Sequence, residues 1–114
     1  MKKSISVLFI VAALIFSATT VFAASGSSLF SSEGCIACHA VNGQGGSVGP
    51  DLSHVGSKRS LSWLKTQITN PGAHFAAGTT ANIDGQSYQV IMPGHRHMAA
   101  SKLNALAAYL ESLK

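Results

Sequence analysis

Cys35-Ile36-Ala37-Cys38-His39 is the stretch of this chain whose residue types and spacing can do chemistry. It reads C-x-x-C-H, the pattern by which a c-type haem is attached. Two thiols separated by two residues can each add to one vinyl group of the same porphyrin. The histidine that follows then lies under the iron, where a neutral imidazole nitrogen can ligate it. The segment implies one covalent haem c, with Cys35 and Cys38 as thioether donors and His39 as the proximal iron ligand.

Other chemistry uses C-x-x-C as well. A dithiol of the thioredoxin type sits at the end of a strand in an α/β fold, and nothing in this sequence alternates like a βαβ unit. A plain disulfide needs only an oxidising compartment. Zinc would need four ligands at paired spacing. His54, His74, His95 and His97 are scattered without such a pattern and read as loop or surface residues, except where His95 and His97 bear on the iron (below).

The elements that must position the motif can be read from capping and periodicity. Ser25 to Ser32 is serine-rich, with Leu29 and Phe30 as apolar anchors, and predicts a short helix stable only when packed. Gly43 to Gly49 holds four glycines and is a loop that ends at Gly49-Pro50. Ser60 can cap a helix over Leu61 to Thr69, with Leu61, Leu64 and Ile68 on one face. Trp63 lies off that stripe, where it can cover a haem edge. Asn70-Pro71 stops the helix, because proline disfavours helical geometry in the residue before it. Gly72 to Ile91 reads as irregular, with a short hairpin indicated at Asp84-Gly85. Ser101 is a cap for a last helix whose stripe is Leu103, Leu106, Ala107, Leu110 and Leu113. The fold class is all-α, with about three main helices around one haem.

The first 23 residues have the pattern of a leader rather than of a domain. Lys2 and Lys3 precede an apolar run from Ile5 to Phe16, and Val21-Phe22-Ala23 fits a small-residue cleavage site. Cleavage after Ala23 would leave a domain over 24–114, about 91 residues. Retention as a membrane anchor is the alternative, although the apolar core falls short of the roughly 18–20 residues a span needs. Either way Lys2 and Lys3 stay inside and the domain lies outside the cytoplasm, in the periplasm or on the outer membrane face. Without the leader the formal charge falls from +4 to about +2, which haem propionates would offset further. With no basic run beyond Lys58-Arg59, nucleic-acid binding is not indicated.

From about Ser28 onward the chain resembles a small monohaem cytochrome c of the class I type. The matching landmarks are Leu29-Phe30, Gly34 to Val41, Gly49-Pro50-Asp51-Leu52, Trp63-Leu64, Asn70-Pro71, Met92-Pro93, and Leu106 to Leu110. The resemblance implies that the Pro50 backbone carbonyl receives the second imidazole nitrogen of His39, fixing the ring and raising its basicity. It also implies that Phe30 and Gly34 pack against Tyr109 and Leu110 where the first and last helices cross, with Gly34 letting two backbones approach.

The sixth iron ligand sets the function. Met92 is the first choice, since Pro93 keeps it in an extended loop and a neutral thioether favours ferrous iron. Met98, or His95 or His97 in a bis-histidine site, are the alternatives. With His39 and Met92 on the iron, the expectation is a non-enzymatic electron carrier between a redox donor and acceptor. The alternatives are a haem subunit of a membrane respiratory or dehydrogenase complex, and a gas-sensing or peroxidase-like protein with a labile sixth ligand.

Overall fold

The computed structural model describes residues 25–114; the leader lies outside the described residues. Among the described residues three helices carry the fold: α1 (Gly26–Ser32), α2 (Leu61–Thr69) and α3 (Ala100–Ser112). Two small antiparallel hairpins interrupt the loops: β1 (Ala40–Val41) with β2 (Gln44–Gly45), and β3 (Thr80–Ile83) with β4 (Gln86–Gln89). Single 3₁₀ turns cover Cys35–Ala37, Val55–Ser57 and Pro71–Ala73. Among the described residues no helix is long and apolar enough to cross a membrane.

The core is where the three helices meet. Leu29 and Phe30 of α1, Leu64 and Ile68 of α2, and Leu106, Ala107 and Leu110 of α3 are buried, joined by Val41. The Ser25 hydroxyl caps α1 by accepting from Ser28 N at 3.2 Å. A helix of seven residues is marginal alone, so packing of Leu29 and Phe30 on α3 must hold it. The Phe30 and Tyr109 rings meet at 6.2 Å, tilted by 59°.

The close approach of α1 and α3 is made at Gly26, not at Gly34 as the resemblance implied. A methyl group on Gly26 would stand 2.3 Å from Tyr109 Cβ and 2.4 Å from the Ala105 carbonyl oxygen. At Gly34 it would meet nothing within 4 Å; that residue instead takes φ +82°, the left-handed conformation that ends α1 and turns the chain into Cys35.

Ser60 caps α2 as its sequence indicates, accepting from Trp63 N at 3.2 Å. Leu61, placed on the apolar stripe, is 41% exposed, because the stripe meets α3 only from Leu64 onward. The last helix begins two residues earlier than Ser101 would set it. Ala99 is its cap residue, with no side-chain hydrogen bond, and the buried trio of Leu106, Ala107 and Leu110 fixes its register instead.

The second hairpin gives order to much of the stretch read as irregular. Asp84 (φ 52°) and Gly85 (φ 83°) supply the two left-handed residues of its turn. Ala81, Ile83 and Tyr88 are half-buried, while their neighbours Thr80, Asn82, Gln86, Ser87 and Gln89 are exposed. The two short strand pairs leave the fold mainly helix and loop.

Candidate haem site

Cys35 follows α1 directly and opens a 3₁₀ turn whose amides bond back along it: Cys38 N to Cys35 O at 3.1 Å and His39 N to the same oxygen at 2.9 Å. That turn brings both thiols and His39 to the wall of one cavity of about 1050 Å³. The cysteine pair thus follows a helix rather than a strand, unlike the dithiol alternative. Burial pushes the Cys35 thiol above its ordinary pKa; a backbone hydrogen bond partly opposes this, and Glu33 and Cys38 add to it. Little of that sulfur is thiolate at neutral pH, which slows its oxidation.

His39 is held from two sides. Its Nδ1–H donates to the Pro50 carbonyl at 2.8 Å, and its ring lies against Gly49, where a methyl group would fall 2.5 Å from Cε1. With Nδ1 engaged as donor, Nε2 carries the lone pair a metal needs. The Gly49 amide donates to the Cys38 carbonyl at 2.7 Å, tying the glycine loop to the thiol turn. Asp51, exposed beside Pro50, has its carboxyl held below the ordinary range by the Ser53 hydroxyl first and then by the Ser53 backbone N–H.

Met92 lines the same cavity as His39, whereas Met98 packs against the helical core and does not. His95 reaches the cavity wall; its backbone N–H is tied to Ile68 O at 2.9 Å, at the end of α2. Arg96 and His97 are exposed and off the cavity. Trp63 lines the cavity as well, with the Arg59 guanidinium carbon 4.3 Å from its ring centroid. His54, read as a loop histidine, is exposed and donates through Nδ1 to the Lys114 carbonyl at 2.8 Å.

Two side chains near the site went unrecognised in the sequence. Gln67 donates through Nε2 to Met92 Sδ at 3.3 Å. His74, also read as a loop histidine, is half-buried, bonds to Gln67 Oε1 at 2.8 Å and stacks on Trp63 at 4.2 Å. Gln67 follows Trp63 by four residues on α2, so the helical face that carries the tryptophan was the available signal. Nothing in the sequence links His74 to either.

The β3–β4 hairpin closes one side of the cavity with Ala81, Ile83 and Tyr88. Its turn is tied across to the other side by an ion pair between Lys58 and Asp84 at 2.5 Å. The volume lies just above the roughly 300–1,000 Å³ usual for cofactor sites.

The family model for cytochrome c matches residues 23–114. The chain belongs to the cytochrome c family. Among curated proteins it is similar to cytochrome c oxidase subunit 2 of Alkalihalophilus pseudofirmus, 32% identical over 99 residues, which cover 84% of this chain and 27% of that protein. It is also similar to lupanine 17-hydroxylase (cytochrome c) of a Pseudomonas species, 32% identical over 93 residues, 81% of this chain and 11% of that protein. The chain thus matches only a minor part of each of these longer relatives. No solved structure matches it significantly.

Membership of the cytochrome c family carries haem-based electron transfer, and the cavity suits the group. It is walled largely by apolar side chains, with both thiols of the motif, an oriented imidazole and a thioether opening into it. A bound haem supplies one-electron Fe(III)/Fe(II) chemistry. Cys35, Cys38, His39 and Met92 are the residues that would hold that group, and the apolar wall would keep water from it. Among the described residues no cluster of three or more His, Cys, Asp or Glu side chains is placed to hold a metal ion by itself.

Proposed function

We propose that this cytochrome c domain is a one-electron carrier. It holds one haem c through Cys35 and Cys38 thioethers, with His39 and Met92 as axial ligands, and has no substrate chemistry of its own. The observation that carries the reading is the pairing of His39 and Met92 on one cavity, with Met98 outside it. Two occupied axial positions leave the iron no place for substrate, which disfavours a gas-sensing or peroxidase role. Trp63 would cover part of the haem edge, and the Pro50 carbonyl would keep the His39 ring oriented and basic.

The leader reading supports export, with the domain working in the periplasm or at the outer face of the membrane between a redox donor and an acceptor. A second reading is favoured by the relatives. Both named relatives are longer proteins, an oxidase subunit and a hydroxylase, in which the matched region is a minor part. The same domain could therefore serve as the haem unit docked on a larger oxidoreductase.

Optical and mass analysis of the purified protein tests the first reading. The expected result is the chain mass plus one haem, no titratable thiol, and a near-infrared sulfur-to-iron band in the ferric state. A colourless product with free or disulfide-linked cysteines would overturn it, and rapid carbon monoxide binding by the ferrous form would remove Met92 from the iron. Co-purification with a larger complex, against recovery as a free monomer, separates carrier from subunit.

A further inference from the structure

Three side chains form a hydrogen-bonded line that ends on the Met92 sulfur. His74 Nδ1 and Gln67 Oε1 are 2.8 Å apart, and Gln67 Nε2 and Met92 Sδ are 3.3 Å apart. The last member forces the direction of the whole line. A thioether carries no hydrogen and can only accept. It therefore takes an amide N–H, which leaves the amide oxygen of Gln67 facing His74. That oxygen also can only accept, so the proton on this side must sit on His74 Nδ1.

The His74 ring is held in place to donate it. It stacks face to face on Trp63, with ring centroids 4.2 Å apart and planes 4° from parallel. Phe75 meets both rings edge-on, at 6.4 Å from each. Trp63 and Gln67 lie one turn apart on α2, so a single helix offers both the surface the imidazole stacks on and the oxygen it donates to. Without that donor only the weak acceptance by the Met92 sulfur holds the Gln67 amide in this orientation. A half-turn would set its oxygen against the sulfur, lone pair against lone pair.

We propose that His74 is a positioning residue for the sulfur ligand: its Nδ1–H locks the Gln67 amide so that Nε2–H is directed at Met92 Sδ. The inference rests on the reading of Met92 as the sixth ligand. A donated hydrogen bond draws electron density from the sulfur and points the positive end of a dipole at the iron site. Both effects favour the ferrous state, whose charge is lower. Releasing the amide moves the ferric/ferrous equilibrium toward ferric by roughly threefold, the scale of one modest neutral hydrogen bond. For a one-electron couple that is about 30 mV, from 59 mV per tenfold.

The test uses the haem-loaded protein and the variants His74→Phe, Gln67→Leu and the double variant. Phenylalanine keeps a flat ring to stack on Trp63 and lacks the N–H. Each protein is measured for midpoint potential and ferric near-infrared band, and the wild type for the nitrogen-15 spectrum of His74. The expected results are a lowered potential in H74F and in Q67L, no further lowering when the two are combined, and a His74 tautomer protonated at Nδ1. An unchanged potential in H74F, an equal drop in the Q67L background, or a ring bare at Nδ1 overturns the proposal while the Met92 reading stands. Absence of the near-infrared band from the wild type overturns both.

Discussion

A single methyl group at residue 49 would collide with the imidazole that the site depends on. Gly49→Ala places its Cβ 2.5 Å from His39 Cε1 and 2.8 Å from Nδ1 of the same ring. Either the ring loses its bond to the Pro50 carbonyl or the loop moves. The expected cost is about 1–3 kcal/mol, as for other overpacked sites, read by denaturant unfolding of the haem-loaded protein, together with an altered ferric spectrum. Two residues on, Asp51 makes the same loop sensitive to acid. Its folded pKa is depressed by the Ser53 hydroxyl and N–H, so its stabilisation is complete above the ordinary value of 3.8 and is lost as pH falls through the lower folded value. Asp51→Asn should therefore lower the urea midpoint at pH 7 modestly, since the carboxylate is exposed, and flatten its decline below about pH 4. A decline equally steep in the variant would assign acid sensitivity elsewhere. The Ser53 hydroxyl also accepts from Asn42 N at 2.8 Å, so this carboxylate steadies the turn beside the motif.

The helices owe their positions to contacts of very different legibility. Capping by Ser60 and the stop at Asn70-Pro71 are local chemistry, and both ends of α2 could be read from the sequence. The start of α3 could not, because Ala99 caps nothing and burial of Leu106, Ala107 and Leu110 overrides the claim of Ser101. The glycine at the crossing of α1 and α3 is illegible for a similar reason: the resemblance points to Gly34, and the close approach is at Gly26. Composition shows that a glycine is present, and only the packed backbones show which one is needed. Gly26→Ala should cost about 1–3 kcal/mol, since the intruding methyl meets the Ala105 carbonyl at 2.4 Å in the backbone of α3. Gly34→Ala should cost about 1 kcal/mol, from left-handed strain alone. Thermal melts of the two variants check the order, and a larger loss at Gly34 would contradict it. Among site residues, the cysteine motif and Met92 are legible because their chemistry is carried in a few adjacent letters. Gln67 and His74 are not, since only the fold brings the α2 face, the turn after Pro71 and the Met92 loop together. Asp84-Gly85 announced the second hairpin, but its role as a cavity wall depends on contacts distant in sequence. The Lys58–Asp84 pair at its turn is exposed on both partners. Lys58→Ala should then cost less than about 1 kcal/mol, and less still in high salt.

At the scale of the whole molecule, the helices, the second hairpin and the loops enclose a cavity of about 1050 Å³, with eight buried apolar residues behind it among the described residues. A domain of this size is marginal even with a continuous core, and here a large share of the apolar wall has no protein partner. Binding of a group to the folded state alone adds its binding free energy to stability. The double variant Cys35→Ala/Cys38→Ala should lose its cooperative thermal transition in circular dichroism when no haem is retained. A sharp melt in that haem-free protein would show that the helices suffice. The cavity also bears on the fate of chains that miss their cofactor. Such chains would spend most of their time open, and cleavage of open chains is what proteases draw on. Cells short of haem should therefore contain less of this polypeptide rather than a reserve of colourless protein awaiting pigment.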